Sequence, residues 1–139
     1  MKIVLDTNVL VAGLLTPHGP PGRILDGLLT GDLVACLDDR ILGEYREVLG
    51  RPKLGIGAAK GEAILDYIET AGVQVVAPAL DASLPDPEDR MFIEVAVAAG
   101  AECVVTGNVR HFPAKGRQGV RVLTPREFTE RWRPGRRGS

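Results

Sequence analysis

Four acidic residues and one amide stand where packing alone does not ask for them. Asp6 closes the apolar run Lys2-Ile3-Val4-Leu5 and is followed by Thr7 and Asn8. Asp is a good helix N-cap, but Thr7 or Asn8 can cap the next helix equally well, which leaves Asp6 free to face a crevice. Glu44 borders the stripe Ile41, Leu42, Tyr45, Val48 and Leu49, whereas Glu47 points further toward water. A carboxylate at the edge of a buried stripe needs a partner, a cation or a shifted pKa. A salt bridge to Arg40, one turn earlier, is the plainer account of it. Asp86 and Asp89 are three apart in Asp86-Pro87-Glu88-Asp89, hence neighbours on one face. Asp86 as N-cap before Pro87 explains part of that run, since acids suit the first turn of a helix. Finally, Val104-Val105-Thr106-Gly107-Asn108 brings a hydroxyl and an amide to a second strand end, where ordinary turn chemistry also accommodates them.

Acids gathered in one place repel. Two unit charges about 4 Å apart cost about 4 kcal/mol at an effective dielectric near 20, so a fold that clusters them must protonate some or bind a cation. Oxygen donors without paired His or Cys suit Mg²⁺ or Mn²⁺ and not Zn²⁺. Such an ion can hold a phosphodiester, acidify a water and stabilise a departing oxyanion. The neutral oxygen of Asn108 is fitted to orienting substrate or water, or to weak metal binding. Arg110 and His111 follow in the same loop, placed to reach a phosphate; an imidazole there suits a proton donor, although a lone loop histidine is more often simply exposed.

The elements that must position these groups alternate along the chain. Apolar strands are expected at residues 2–5, 33–37, 103–106 and 120–123, with residues 73–77 a strand or an extended connection. Helices are expected after Asp6 to Leu15, from Pro20-Pro21 to Gly31, from Asp38 or Asp39 to Pro52, around Ile64, Leu65 and Ile68 to Gly72, and from about Pro87 to Ala99. Thr124-Pro125-Arg126-Glu127 is a capping box that starts a last helix. Strands alternating with helices imply right-handed crossovers and a mostly parallel sheet of four to five strands, covered by helices on both faces. In such sheets ligands gather beyond the carboxyl ends of the strands, where Asp6 and Asn108 fall.

Composition narrows the class further. The 139 residues carry a net charge of −1, with 45% hydrophobic and 25% charged residues, which excludes a disordered chain. No apolar run approaches the roughly 20 residues that span a bilayer. The apolar N-terminus is broken by Asp6 and Asn8, unlike an export signal. Cys36 and Cys103 lie in apolar strands and suit inert core thiols better than a disulfide. The expectation is a cytoplasmic protein with no membrane contact. Residues 1–108 hold 8 Lys/Arg against 16 Asp/Glu, whereas residues 109–139 hold 9 against 2, a pattern that suits an acidic partner such as nucleic acid and equally a solvated tail. We take 1–130 as the domain and 131–139 as a flexible basic tail.

The motifs together resemble the PIN-domain nucleases. The likeness lies in Leu5-Asp6-Thr7-Asn8-Val9-Leu10, in Ile41-Leu42-Gly43-Glu44-Tyr45-Arg46-Glu47-Val48-Leu49, in Asp86-Pro87-Glu88-Asp89 before Phe92 and Ala96, and in Val105-Thr106-Gly107-Asn108. It runs from about Lys2 to Glu127 and is nearest to the VapC-like toxins of bacterial toxin–antitoxin pairs. The resemblance implies a PIN-like three-layer fold and a metal-dependent ribonuclease whose hydrolysis leaves a 5′-phosphate. It implies Asp6, Glu44 and Asp89 as metal ligands, with Asp86 a fourth or a substitute for Asp89, and Thr7, Asn8 and Thr106 orienting them. It implies an antitoxin partner and a homodimer. Many members of the family carry Asp where this chain has Asn108, and the lost charge weakens a second metal more than a first. The alternative is therefore a PIN-like module that binds RNA or protein with weak cutting or none.

Other chemistries fit the residues poorly. A haloacid-dehalogenase-type phosphatase needs a second acid at Asn8 and places its Thr and Lys before its later acids, whereas Thr106 and Lys115 follow Asp86 and Asp89. A dinucleotide enzyme lacks its Gly-x-Gly-x-x-Gly turn. Ser83 and Ser139 are the only serines, and neither lies in a nucleophile elbow.

Overall fold

The structure is a computed structural model that describes residues 1–132. Five short strands, β1 (Lys2–Leu5), β2 (Val34–Leu37), β3 (Val73–Gln74), β4 (Val104–Val105) and β5 (Val122–Leu123), form one sheet in the order β3-β2-β1-β4-β5. Every pairing is parallel. Ile3, Val4, Cys36, Leu37, Val104 and Val105 have almost no exposure. Continuous apolar strands of this kind belong in a sheet covered on both sides. Six helices do the covering: α1 (Thr7–Leu15), α2 (Pro20–Thr30), α3 (Asp39–Leu49), α4 (Ala58–Ala71), α5 (Arg90–Ala99) and α6 (Pro125–Arg131). α5 packs on β1, β2 and β4, α4 on α3 and β2, and α2 against α1 and α6.

The chain ends of these helices follow the sequence. Asp38 caps α3 by accepting from the Ile41 N–H at 3.0 Å, and Gly31 and Gly100 close α2 and α5 in the left-handed conformation. Thr124 and Glu127 form the expected capping box at the start of α6. One element differs from expectation. Pro87–Asp89 is a separate 3-10 turn and α5 begins only at Arg90, because Asp86 accepts from Glu88 N–H and holds the backbone in a tighter turn. Arg131 still belongs to α6, and Trp132 is buried against Phe128 and over Gly27 of α2. The remainder of the expected basic tail, residues 133–139, lies outside the described residues. Among the described residues no helix is long and apolar enough to cross a membrane.

Strand order decides where the site falls. From β1 the chain steps outward to β2 and β3, then returns to the other side of β1 for β4 and β5. The order reverses between β1 and β4, and the crevice beyond their carboxyl ends is the usual binding place in such sheets. Leu5 is in register with Val105, so Asp6 and Thr106 emerge side by side.

Candidate active site

Asp6 occupies the N-cap position of α1, yet its side chain makes no capping hydrogen bond. It is buried, and its Oδ2 accepts from the Thr106 hydroxyl at 2.7 Å and from Asn8 Nδ2 at 3.4 Å. Burial pushes the Asp6 carboxyl up from its ordinary value, and the Thr106 hydroxyl and the N–H groups at the start of α1 offset part of that. The surrounding bonds fix the loop as well. Asn108 N–H donates to Thr106 Oγ1 at 3.0 Å, and Gly107 N–H donates to Asn8 Oδ1 at 3.0 Å. Below the site, the buried Tyr45 hydroxyl donates to the carbonyl of Leu5 at 2.6 Å and fixes the end of β1.

Glu44 is half-buried on α3 and accepts a hydrogen bond from Thr7 Oγ1 through Oε2. It does not pair with Arg40, which instead bonds Asp38 at 2.8 Å and Glu94 at 2.7 Å. Glu47 is exposed and pairs with Arg51. Asp89 is largely buried, and its carboxyl is pushed up to about 6, first by burial and then by the negative charges of Asp6, Asp86 and Glu44, against the opposing influence of His111. These acids therefore share one electrostatic neighbourhood. Asp86 is its exposed margin: it caps the 3-10 turn and adds its charge to the field at Asp89.

Asn108 and His111 are joined to this group by contacts that spacing alone did not reveal. Asn108 Nδ2 lies 3.0 Å from His111 Nε2, and His111 Nδ1 lies 3.7 Å from Asp89 Oδ2. Arg110 is exposed beside them. One residue absent from the sequence reading also matters. Glu94 is a buried acid inside the apolar run of α5, and it holds both Arg40 and the Leu80 N–H. A lone Glu within Met91-Phe92-Ile93-Glu94-Val95-Ala96 was the available signal, since a charge buried on such a face needs a partner. Arg40 itself lines an open cleft with Glu44, Pro87, Glu88 and Met91.

Among the described residues, no three His, Cys, Asp or Glu side chains are arranged to hold a metal ion between them. The donor chemistry nevertheless suits a hard cation. The side chains of Thr106 and Asn8 both engage Oδ2 of Asp6, and that of Thr7 engages Oε2 of Glu44, so among the described residues no side-chain donor takes Asp6 Oδ1 or Glu44 Oε1. Mg²⁺ is commonly held by one or two carboxylates and several waters, a requirement smaller than a preassembled triad.

Comparison with known proteins fits this geometry. A family model described as PIN domain matches residues 2–110. The chain belongs to the PIN-domain family. This PIN domain is also 29% identical over 141 residues to the uncharacterised protein MJ1680 of Methanocaldococcus jannaschii, covering 94% of this chain and 90% of that protein. Among solved structures it resembles a chain of VapBC2 from Rickettsia felis, crystallised bound to a DNA fragment from its promoter. That likeness has a TM-score of 0.59 at 16% identity, with 89% of this chain and 98% of the other covered, and it bears on the fold alone. The PIN-like three-layer α/β architecture expected from the sequence is the one observed, with a sheet that is parallel throughout.

Proposed function

We propose that this PIN domain is a Mg²⁺- or Mn²⁺-dependent endoribonuclease and the toxin of a toxin–antitoxin pair. The observation that carries the reading is Asp6. It is buried at the crossover point of the sheet with one oxygen held by the side chains of Thr106 and Asn8, and the charges of Glu44 and Asp89 reach the same place. Asp6 and Glu44 would hold the ion directly, with Asp89 and Asp86 adding charge around it. When bound, the ion supplies Lewis acidity, which activates a water for attack on phosphorus and leaves a 5′-phosphate. Thr7, Asn8 and Thr106 keep the two ligands from turning away. Arg110, His111 and the basic residues after 130 engage RNA phosphates. An antitoxin partner, a homodimer and a cytoplasmic setting belong to the same reading.

Two observations favour a second reading. The Asn108 amide is taken up by the His111 ring, and no three acids form a ready metal group among the described residues, as suits a module that binds RNA or protein without cutting. End-labelled RNA separates the two. Cleavage is expected with Mg²⁺ or Mn²⁺, absent in EDTA, and reduced at least about 100-fold in Asp6→Asn, the scale of loss when a key charge-stabilising group is removed. Full activity of Asp6→Asn, or cleavage without metal, removes the mechanism, and RNA bound but left intact supports the second reading.

A further inference from the structure

Arg40 neutralises two acids that are nearly out of water. The side chains of Asp38 and Glu94 are 9% and 4% exposed, but that of Arg40 is 47% exposed. The guanidinium thus sits at a boundary, its inner side bonded and its outer side open. Nε and Nη2 both reach Asp38 Oδ2 at 2.8 Å, and Nη1 reaches Glu94 Oε1 at 2.7 Å. Guanidinium carries five N–H groups, and these contacts use three, which leaves one on each terminal nitrogen. Among the described residues Arg40 is also the sole cation lining the cleft it shares with Glu44, Pro87, Glu88 and Met91. Residues 39–49 form one helix, so Arg40 and Glu44 are a single turn apart on it.

We propose that Arg40 is a substrate-positioning residue that grips a backbone phosphate of the bound strand in the cleft beside Glu44. The proposal rests on the nuclease reading above and adds a residue to it. A charge needed only to balance Asp38 and Glu94 has no reason to face the cleft, whereas a phosphate that approaches the acids Glu44 and Glu88 needs a cation there. Arg suits the task because its planar fork meets two phosphate oxygens at once, which an ammonium does not do. Its two acidic partners fix the guanidinium before substrate arrives, so little side-chain freedom is lost on binding.

The test is equilibrium binding of a dye-labelled single-stranded RNA in EDTA, with the probe verified intact, across a series of salt concentrations. Each phosphate contact on a single strand contributes a slope of about 0.7 in log K against log salt. Arg40→Gln is expected to lower that slope by about one contact and to weaken binding about tenfold near 0.1 M salt. Arg40→Lys is expected to keep the slope but lose several-fold in affinity, because the fork is gone. Glu94→Gln removes a competing acid and is expected to tighten RNA binding several-fold even where it lowers the melting temperature, an effect that a purely structural role of Arg40 does not produce. Wild-type binding with unchanged affinity in Arg40→Lys and Glu94→Gln overturns this inference alone. Wild-type protein that binds no RNA overturns it together with the nuclease reading.

Discussion

Thr106 shows how much a small side chain decides in this site. It has no exposure, donates to Asp6 Oδ2 and accepts from Asn108 N–H, so one hydroxyl orders both the first acid and the 107–111 loop. Thr106→Val keeps the shape and removes the bonds. Metal affinity by Mn²⁺ titration, and RNA cleavage, are expected to fall about 10- to 100-fold, as for other groups that orient a ligand. Asp89 gives a second prediction, in pH. Its carboxyl is raised from 3.8 to about 6, so the folded chain keeps a proton that the unfolded chain has already released. Stability in EDTA therefore falls as pH rises from about 4 to about 6, by at most about 3 kcal/mol. The raised Asp6 carboxyl acts in the same direction. Denaturant melts at pH 4.5 and 7 are expected to differ less in Asp89→Asn, which gains relative stability at the higher pH. Equal pH dependence in wild type and Asp89→Asn would show that Asp89 is not the group concerned.

Between β3 and α5 runs a long connection that is irregular up to the 3-10 turn Pro87–Asp89, and this is the piece that delivers Asp86 and Asp89. It is tied down by side chains from elsewhere. Glu94 accepts from Leu80 N–H at 2.8 Å, Gln118 Nε2 donates to the Asp81 carbonyl at 2.7 Å, and Arg90 Nε donates to the Ala82 carbonyl at 3.0 Å. Ala82 and Leu84 are buried, and Gly116 lies so close to the Ser83 carbonyl that a Cβ there would overlap it. Gly116→Ala is therefore expected to destabilise by about 1–3 kcal/mol, the usual effect of overpacking a tight contact. Hydrogen exchange should show the loss of protection concentrated in residues 79–84 and 112–118. A uniform effect across the sheet would instead mean that the two loops are not interlocked. None of this interlock was legible in the sequence, where residues 78–87 read simply as loop, because the bonds join positions from 8 to 37 residues apart. The order and approximate position of the strands and helices were legible, since each rests on a local apolar period and a local cap.

At the scale of the molecule, a cation that binds the folded site and not the unfolded chain must stabilise the fold. Mg²⁺ at about a hundred times its Kd is expected to add about 2.7 kcal/mol, read as a raised melting temperature. Asp6→Asn should lose most of that gain while melting at a similar temperature in EDTA, and an equal gain in both would place the ion elsewhere. By itself the sequence determined the alternation of strands and helices, the parallel sheet and the candidates Asp6, Glu44, Asp86, Asp89 and Asn108, because apolar periodicity and capping act over a few neighbours. Only the tertiary structure decided that Thr7 holds Glu44, that Arg40 turns from Glu44 to Asp38 and Glu94, and that His111 links Asn108 to Asp89. Partners for a charge are chosen by proximity and burial, and both are set by the order in which the strands pair. Once β4 lies beside β1, residues a hundred positions apart become hydrogen-bonded neighbours, and no local pattern in the chain encodes that distance.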